Sequence, residues 1–323
     1  MAERDQHIAD FLAAAGWAQA ARTPLAGDAS GRIYQRLRLG DNSAVLMNSG
    51  AQDVGPFIRI ARHLKSFGYS APEIFAEHGE QRLVLLEDFG DLSFDKCAEA
   101  DRVPLYEAAV DLLADLSTQP LAREGAVMNE AYLSNEIRLF AEWWPPQGTA
   151  QETLAAHADA WIEAWRGAYA PALAIPSGLA LRDFHAGNLM WLPARRGNSR
   201  VGLLDFQDAL TAPISYDLVS LLQDARRDVA EPLQAAMIER FVAAFPDMDK
   251  QAFRTSYALL GAHRNLRIAG IFSRLARRDG KPGYLKFLPR VWRHIEANLE
   301  HPALATVRAW LDRHVPAGQR GKA

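Results

Sequence analysis

The period of the apolar pattern changes along this chain, and the places where it changes limit the folds open to it. Up to residue 90 the signal is short and sheet-like. Ile33, Gln35, Leu37 and Leu39 alternate with Tyr34, Arg36 and Arg38, Gly40-Asp41-Asn42 turns the chain, and residues 43–47 form a second extended run. Residues 72–77 and 83–87 read as further strands, and the spacing of Phe57, Ile60, Ala61 and Leu64 inserts a helix over 56–67, closed by Gly68. A short opening helix carries Ile8, Phe11, Leu12 and Ala15 and stops at Gly16. Beyond Asp91 helical spacing takes over, at 105–116, 131–143, 152–169, 215–222, 231–245, 250–276 and 284–299. One segment interrupts it with two short apolar strands, 188–193 and 200–205, around an exposed turn. The pattern predicts an α+β chain: a small β-rich domain over 1–90, a link near 88–92, and a large, mainly helical domain over 91–323 that carries an inserted hairpin.

Composition removes several function classes. The most apolar runs, such as Leu83 to Leu86, are four residues long, whereas a membrane span needs roughly 20. The N-terminus lacks the basic start and apolar stretch of a secretory signal. A formal net charge of -3 gives no overall attraction to nucleic acid. Cys97 is the only cysteine, which excludes an internal disulfide and a Cys-x-x-Cys zinc pattern. The expectation is a cytoplasmic protein acting on a small molecule, with no nucleic-acid or membrane partner, its oligomeric state left open. The tail, 318–323, is expected to fray.

Chemistry concentrates in two polar clusters beside the inserted strands: residues 181–189, reading Leu-Arg-Asp-Phe-His-Ala-Gly-Asn-Leu, and residues 203–208, reading Leu-Leu-Asp-Phe-Gln-Asp. Phosphoryl transfer needs one group to orient the attacking hydroxyl and take its proton, and oxygen ligands that fix magnesium on the phosphates. Asp183 suits the first role; Asn188 and Asp205 suit the second. His185 and Asp208 are candidates for touching substrate. Small residues at Gly27, Asp28, Ala29, Ser30 and Gly31 allow the backbone to approach phosphate oxygens, and Arg32 can add a charge-assisted contact. The Gly-Lys-Ser/Thr ending of a P-loop is absent.

These clusters resemble the aminoglycoside phosphotransferase and choline kinase family, relatives of the protein kinases, and the resemblance covers most of the chain. Asp183 to Asn188 matches the catalytic loop, and Asp205-Phe206-Gln207 stands where kinases carry Asp-Phe-Gly. The resemblance implies a two-lobed protein-kinase-like fold, ATP and Mg2+ as cofactors, and Asp183 as catalytic residue with Asn188 and Asp205 as metal ligands. It implies that adenine docks at the link, at Glu87 and Phe89, and that Asp217 steadies the catalytic segment. Gly27-Asp28-Ala29-Ser30, residues 86–91, 205–209 and 216–222, and Arg278-Asp279-Gly280-Lys281 resemble a bacterial subgroup that phosphorylates the anomeric hydroxyl of cell-wall amino sugars, N-acetylmuramate and N-acetylglucosamine.

Departures from the family pattern qualify what it implies. Met47 occupies the position of the phosphate-binding lysine, Asn48 follows where the subgroup implies an aspartate, and Leu181 replaces a histidine before the catalytic aspartate. Arg32 or Arg36 is the candidate replacement for the missing cation. From Arg264 to Arg293 nine lysines and arginines face one acid, Asp279. That excess suits a carboxylate on the acceptor and opposes a polycationic drug. His263, Arg264 and Arg267 share a helix side and are the substrate candidates within it. Trp143 or Trp144 is the candidate for stacking on a sugar ring. The alternatives are a kinase for another sugar, an amino alcohol or an aminoglycoside, and a nucleotide-binding pseudokinase that acts as a scaffold.

Overall fold

In a computed structural model the structure describes residues 2–25, 31–119, 125–146 and 154–322. In chain order the main elements are α1 (Ala2–Ala14), β1 (Ala21–Pro24), β2 (Ile33–Leu39), β3 (Asn42–Asn48), α2 (Gly55–Ser66), β4 (Ile74–His78), β5 (Leu83–Glu87), α3 (Arg102–Leu116), α4 (Glu130–Trp143), α5 (Ala158–Ala172) and β6 (Ser177–Ala180). They continue with β7 (Leu189–Trp191), β8 (Val201–Leu203), β9 (Leu210–Pro213), α6 (Ser215–Leu222), α7 (Glu231–Ala243), α8 (Lys250–Arg277), α9 (Leu288–Leu299) and α10 (Ala305–His314). No helix among the described residues is long and apolar enough to cross a membrane.

By packing the chain forms two compact units, 1–102 with 187–208, and 103–186 with 209–323. The sequence pattern had placed the change at residue 90 and kept the inserted hairpin with the helices. Backbone hydrogen bonds explain the difference: Trp191 N–H donates to Leu92 O (2.7 Å), Phe94 N–H to Leu189 O (2.9 Å) and Leu203 N–H to Ser70 O (2.8 Å). Those bonds tie β7 and β8 to the sheet-bearing unit.

The first unit is built on an antiparallel sheet of order β1-β2-β3-β5-β4. Leu37, Ala44, Leu46, Leu83 and Leu85 lie on one face and bury against Ile8, Phe11 and Leu12 of α1. Residues directly opposed in a sheet share a face. Tyr34, Met47 and Val84 therefore stand together on the other face, followed by Arg36, Val45 and Leu86. Gly40, at φ +58°, makes the tight β2–β3 turn that sets this register.

The second unit surrounds α8, whose 28 residues span about 42 Å at 1.5 Å per residue. Asp249 caps its N-terminus through the N–H groups of Gln251 and Ala252. The core is aromatic: Phe140 stacks on Trp144 at 5.5 Å and contacts Trp161 and Trp292, and the Trp161 indole N–H donates to Ile137 O. Trp144 is 1% exposed, which removes it as a sugar-stacking residue. Trp143 instead lies under the Arg277 guanidinium. The tail is fastened: Arg320 pairs with Glu296 and Asp312 and donates to Val315 O.

Candidate active site

In the helical unit, the segment from Leu181 to His185 is a tight loop. Asp183 N–H donates to Leu181 O (2.9 Å), His185 N–H donates to Asp183 O (3.1 Å), and Arg182 takes the left-handed conformation at φ +69°. A non-glycine residue holds that conformation only against a cost, and Asp217 on α6 supplies the restraint. Its buried carboxylate accepts the N–H of Leu181 at 2.6 Å and of Arg182 at 3.0 Å. Burial pushes that carboxyl up to about 7, against the pull of the two N–H bonds and of Arg264. Ser220 Oγ donates to Arg182 O (3.2 Å), and the Arg182 guanidinium pairs with Glu136 of α4 (3.1 Å). The result presents Asp183, half-buried, on a loop fixed at both flanks.

His185 is buried, and its Nε2 accepts from Arg226 Nη1 (2.9 Å). Burial lowers its pKa, so the ring is a neutral acceptor that steadies the loop and does not reach for substrate. His263 is a correction of the same kind. It is 3% exposed, donates Nε2–H to Leu133 O (2.9 Å) and stands edge-on to Trp165. Arg267 pairs with Glu136, the carboxylate that also holds Arg182. Arg264 is also buried, with Nη1 accepted by no hydrogen-bond partner among the described residues. Further along the basic stretch, Asp228 collects Arg290 and Arg293. Four of the nine cations, Arg267, Arg277, Arg290 and Arg293, are therefore spent on acids and carbonyls distant in sequence.

In the sheet unit, β7 and β8 bring the second cluster together. Leu204 N–H donates to Asn188 O (3.0 Å), and Asn188 Nδ2 donates to Asp205 Oδ2 (3.4 Å). Asp205 has a left-handed backbone at φ +57°. The next residue, Phe206, is fully buried and stacked on Phe57 of α2 at 4.9 Å. Gln207 Nε2 donates to Asp205 Oδ1 (2.9 Å) and to the exposed Asp208 (3.3 Å). Arg32, 7% exposed, places Nη1 3.8 Å from Asp205 Oδ1. The sequence reading assigned Gln207 no role.

Hard oxygen donors at one point suit magnesium. Among the described residues no three His, Cys, Asp or Glu side chains form a cage. Magnesium that arrives on phosphates needs only one or two protein oxygens, so Asp205 with the Asn188 amide oxygen fits it.

The remaining nucleotide candidates fare unevenly. Gly27, Asp28, Ala29 and Ser30 lie outside the described residues; Gly31 and Arg32 lie just before β2. The Glu87 carboxylate is held by Arg195 and by Glu73 N–H. It lines a cavity of about 520 Å³ with Lys65, Glu73 and Arg195; the adenine contact expected at this link is to backbone groups and does not call on that side chain. Phe89 packs against Gly202, where a β-carbon would meet its ring at 2.9 Å, and beneath the Arg195 guanidinium. Met47 is fully buried, and the Asn48 side chain accepts from Arg4 and Gly50 N–H.

The model of the phosphotransferase enzyme family matches residues 21–254. N-acetylmuramate/N-acetylglucosamine kinase of Caulobacter vibrioides is 37% identical, with 98% of each chain covered. The protein of that name from Pseudomonas aeruginosa is 32% identical over 93% of this chain and 91% of its own. Among solved structures, a choline/ethanolamine kinase family protein from Mesorhizobium loti superposes with a TM-score of 0.67 at 15% identity, covering 95% of this chain and 99% of that one. Choline kinase LicA from Streptococcus pneumoniae gives 0.67 at 9% identity, covering 93% and 100%. At those identities the structural likeness speaks for the fold alone. The family match and the near end-to-end alignment with the Caulobacter protein carry more: this chain belongs to the phosphotransferase enzyme family, and its α+β architecture is the two-lobed, protein-kinase-like one.

Proposed function

We propose that this chain transfers the terminal phosphoryl group of ATP to the anomeric hydroxyl of an amino sugar such as N-acetylmuramate or N-acetylglucosamine. The observation that carries the phosphoryl transfer is the convergence of Asn188 and Asp205, 17 residues apart in sequence, on one point through a 3.4 Å contact. The acceptor rests on the activity named for the relatives. ATP as donor fits action in the cytoplasm.

Asp183 orients the acceptor hydroxyl and takes its proton. An anomeric hydroxyl is more acidic than an ordinary alcohol, so an aspartate of ordinary basicity suffices. Asp217 holds the backbone that aims Asp183. Asn188 and Asp205 provide the oxygens for magnesium, which when bound neutralises charge on the phosphates. Arg32 supplies the cation that Met47 does not, and the backbone of 27–31 receives phosphate oxygens. Arg264 and Asp208 are the candidates for contacting the acceptor.

The test pairs Asp183→Ala with an acceptor panel. Loss of a positioned base lowers rate by about 10²–10⁴, so turnover should fall by about a thousandfold while affinity for a nonhydrolysable ATP analogue stays within about twofold. Wild-type turnover in the variant overturns the role of Asp183. N-acetylmuramate, N-acetylglucosamine, choline and kanamycin, followed by phosphorus NMR, identify the acceptor. An acid-labile sugar phosphate supports the proposal. Transfer only to choline or kanamycin replaces the acceptor, and nucleotide binding without transfer to any acceptor or water leaves the scaffold reading.

A further inference from the structure

We infer that Gln207 is a positioning residue for the metal-binding carboxylate, holding Asp205 in place through a neutral side-chain amide. This rests on the reading of Asn188 and Asp205 as magnesium ligands.

The backbone on either side of the Asp205 side chain is fixed. Asp205 occupies the left-handed region, and Phe206 is buried to 0% exposure against Phe57. The carboxylate itself is less confined, with 34% of the side chain exposed. Gln207 Nε2 donates to Oδ1 at 2.9 Å, closer than Asn188 at 3.4 Å or Arg32 at 3.8 Å, and keeps Oδ2 on the side of Asn188. The second N–H of the same amide reaches Asp208 Oδ2 at 3.3 Å. An amide turned the other way would bring its oxygen against two carboxylates, so only the donating orientation is attractive. The chemistry of the group matters too. A lysine or arginine here would add a second cation beside Asp205, where Arg32 already stands 3.8 Å from Oδ1, and weaken the pull on a divalent cation, whereas an amide restrains the carboxylate without adding charge. Gln207 lies outside the left-handed region, so nothing in the local backbone demands the glycine found in the kinase motif.

The experiment uses the full chain and Mn2+ as probe, read by electron paramagnetic resonance with a nonhydrolysable ATP analogue present. Gln207→Met keeps the bulk and removes both donors. Outer hydrogen-bond partners of metal ligands contribute 10–100-fold in affinity, and the expected result is about tenfold weaker Mn2+ binding. Melting temperature should stay constant within about 2 °C, the shift of under 1 kcal/mol in a domain of this size. In turnover the half-saturating Mg2+ concentration should rise by a similar factor with KM for the acceptor unchanged, a split that general loosening of the fold would not produce. If Gln207→Met does not fold, Gln207→Asn, which keeps the amide but is one methylene short, should show a smaller loss of the same kind. Wild-type-like Mn2+ affinity in a folded Gln207 variant overturns the inference. Absence of Mn2+ binding by the wild-type protein overturns the metal-site reading itself, and the inference with it.

Discussion

Two arginines four residues apart have opposite fates. Arg36 donates to Asp88, Asp91 and the Gly90 carbonyl at 2.9–3.0 Å, so its guanidinium is consumed in stitching residues 88–91 to β2. Arg32 has weaker commitments, 3.5 Å to Ser49 Oγ and 3.8 Å to Asp205, and it stands beside the carboxylate assigned to magnesium. A buried guanidinium with donors in reserve is placed to bind phosphate; one locked on two aspartates is not. Arg32→Ala should therefore weaken binding of a fluorescent ATP analogue about tenfold, the equivalent of about 1.4 kcal/mol. Arg36→Ala should leave that affinity within about twofold and lower thermal stability instead. Equal affinity in Arg32→Ala and wild type would remove Arg32 from the site. The sequence could name both arginines but could not choose between them, because Asp88 and Asp91 lie more than 50 residues from Arg36. The same limit governs the basic stretch of α8. A cation buried on Glu136 and one facing water occupy the same helical spacing, and nothing local records that the acid is on α4.

Helices α4 and α8 approach closely where Gly270 faces the backbone of Leu139 and Phe140. A β-carbon at Gly270 would lie 2.6 Å from Leu139 O, and neither backbone can yield without shifting a helix. Gly270→Ala gains about 1 kcal/mol of helix propensity and loses more to overpacking. We expect a net destabilisation of about 1–3 kcal/mol, or roughly 2–12 °C in melting temperature for a unit of this size. A variant as stable as wild type would show that this approach is not tight. The long helices were legible because their apolar stripes run for many turns; residues 215–222 were read to the residue. The strands β2, β3 and β5 were legible because alternation or a solid apolar run bounded by turns marks them. The strands β6 and β9 went unread. Each has four residues, and their pairing joins segments about 30 residues apart, so no pattern within either one declares a sheet. Of the site, the types and order of Asp183, Asn188 and Asp205 were readable, but the contact between Asn188 and Asp205 depends on the register of β7 with β8. That register is set by pairing with Leu92 and Ser70, remote in sequence.

Besides His185, the helical unit contains three groups whose opposed titrations shape stability as a function of pH: buried His263 and Asp217 and half-buried His294. Burial holds His263 down to about 4, and burial with the charges of Arg293 and Arg290 holds His294 down to about 4. Asp217 is pushed up to about 7 by burial. In an unfolded chain a histidine binds its proton near 6.5. The stability gained by keeping each of these imidazoles neutral is therefore complete above about pH 6.5 and is lost as pH falls through about 4. Asp217 has the opposite sign: its contribution is complete below its unfolded value of about 3.9 and is lost as pH rises through about 7. Between pH 4 and 6.5, unfolding takes up two protons on the histidines and releases one from Asp217, a net uptake of about one. Stability should thus fall on acidification by about 1.4 kcal/mol per pH unit from this set, measurable as urea midpoints between pH 6.5 and 5. His263→Gln supplies the test, because a glutamine amide can still donate to Leu133 O but does not titrate. In that variant the uptake at His294 and the release at Asp217 cancel, and the dependence should become shallower, with the uptake at His185 remaining. A slope equal to that of wild type would mean that His263 does not resist protonation in the folded chain, and that its burial beside Trp165 is not what makes the helical unit sensitive to acid.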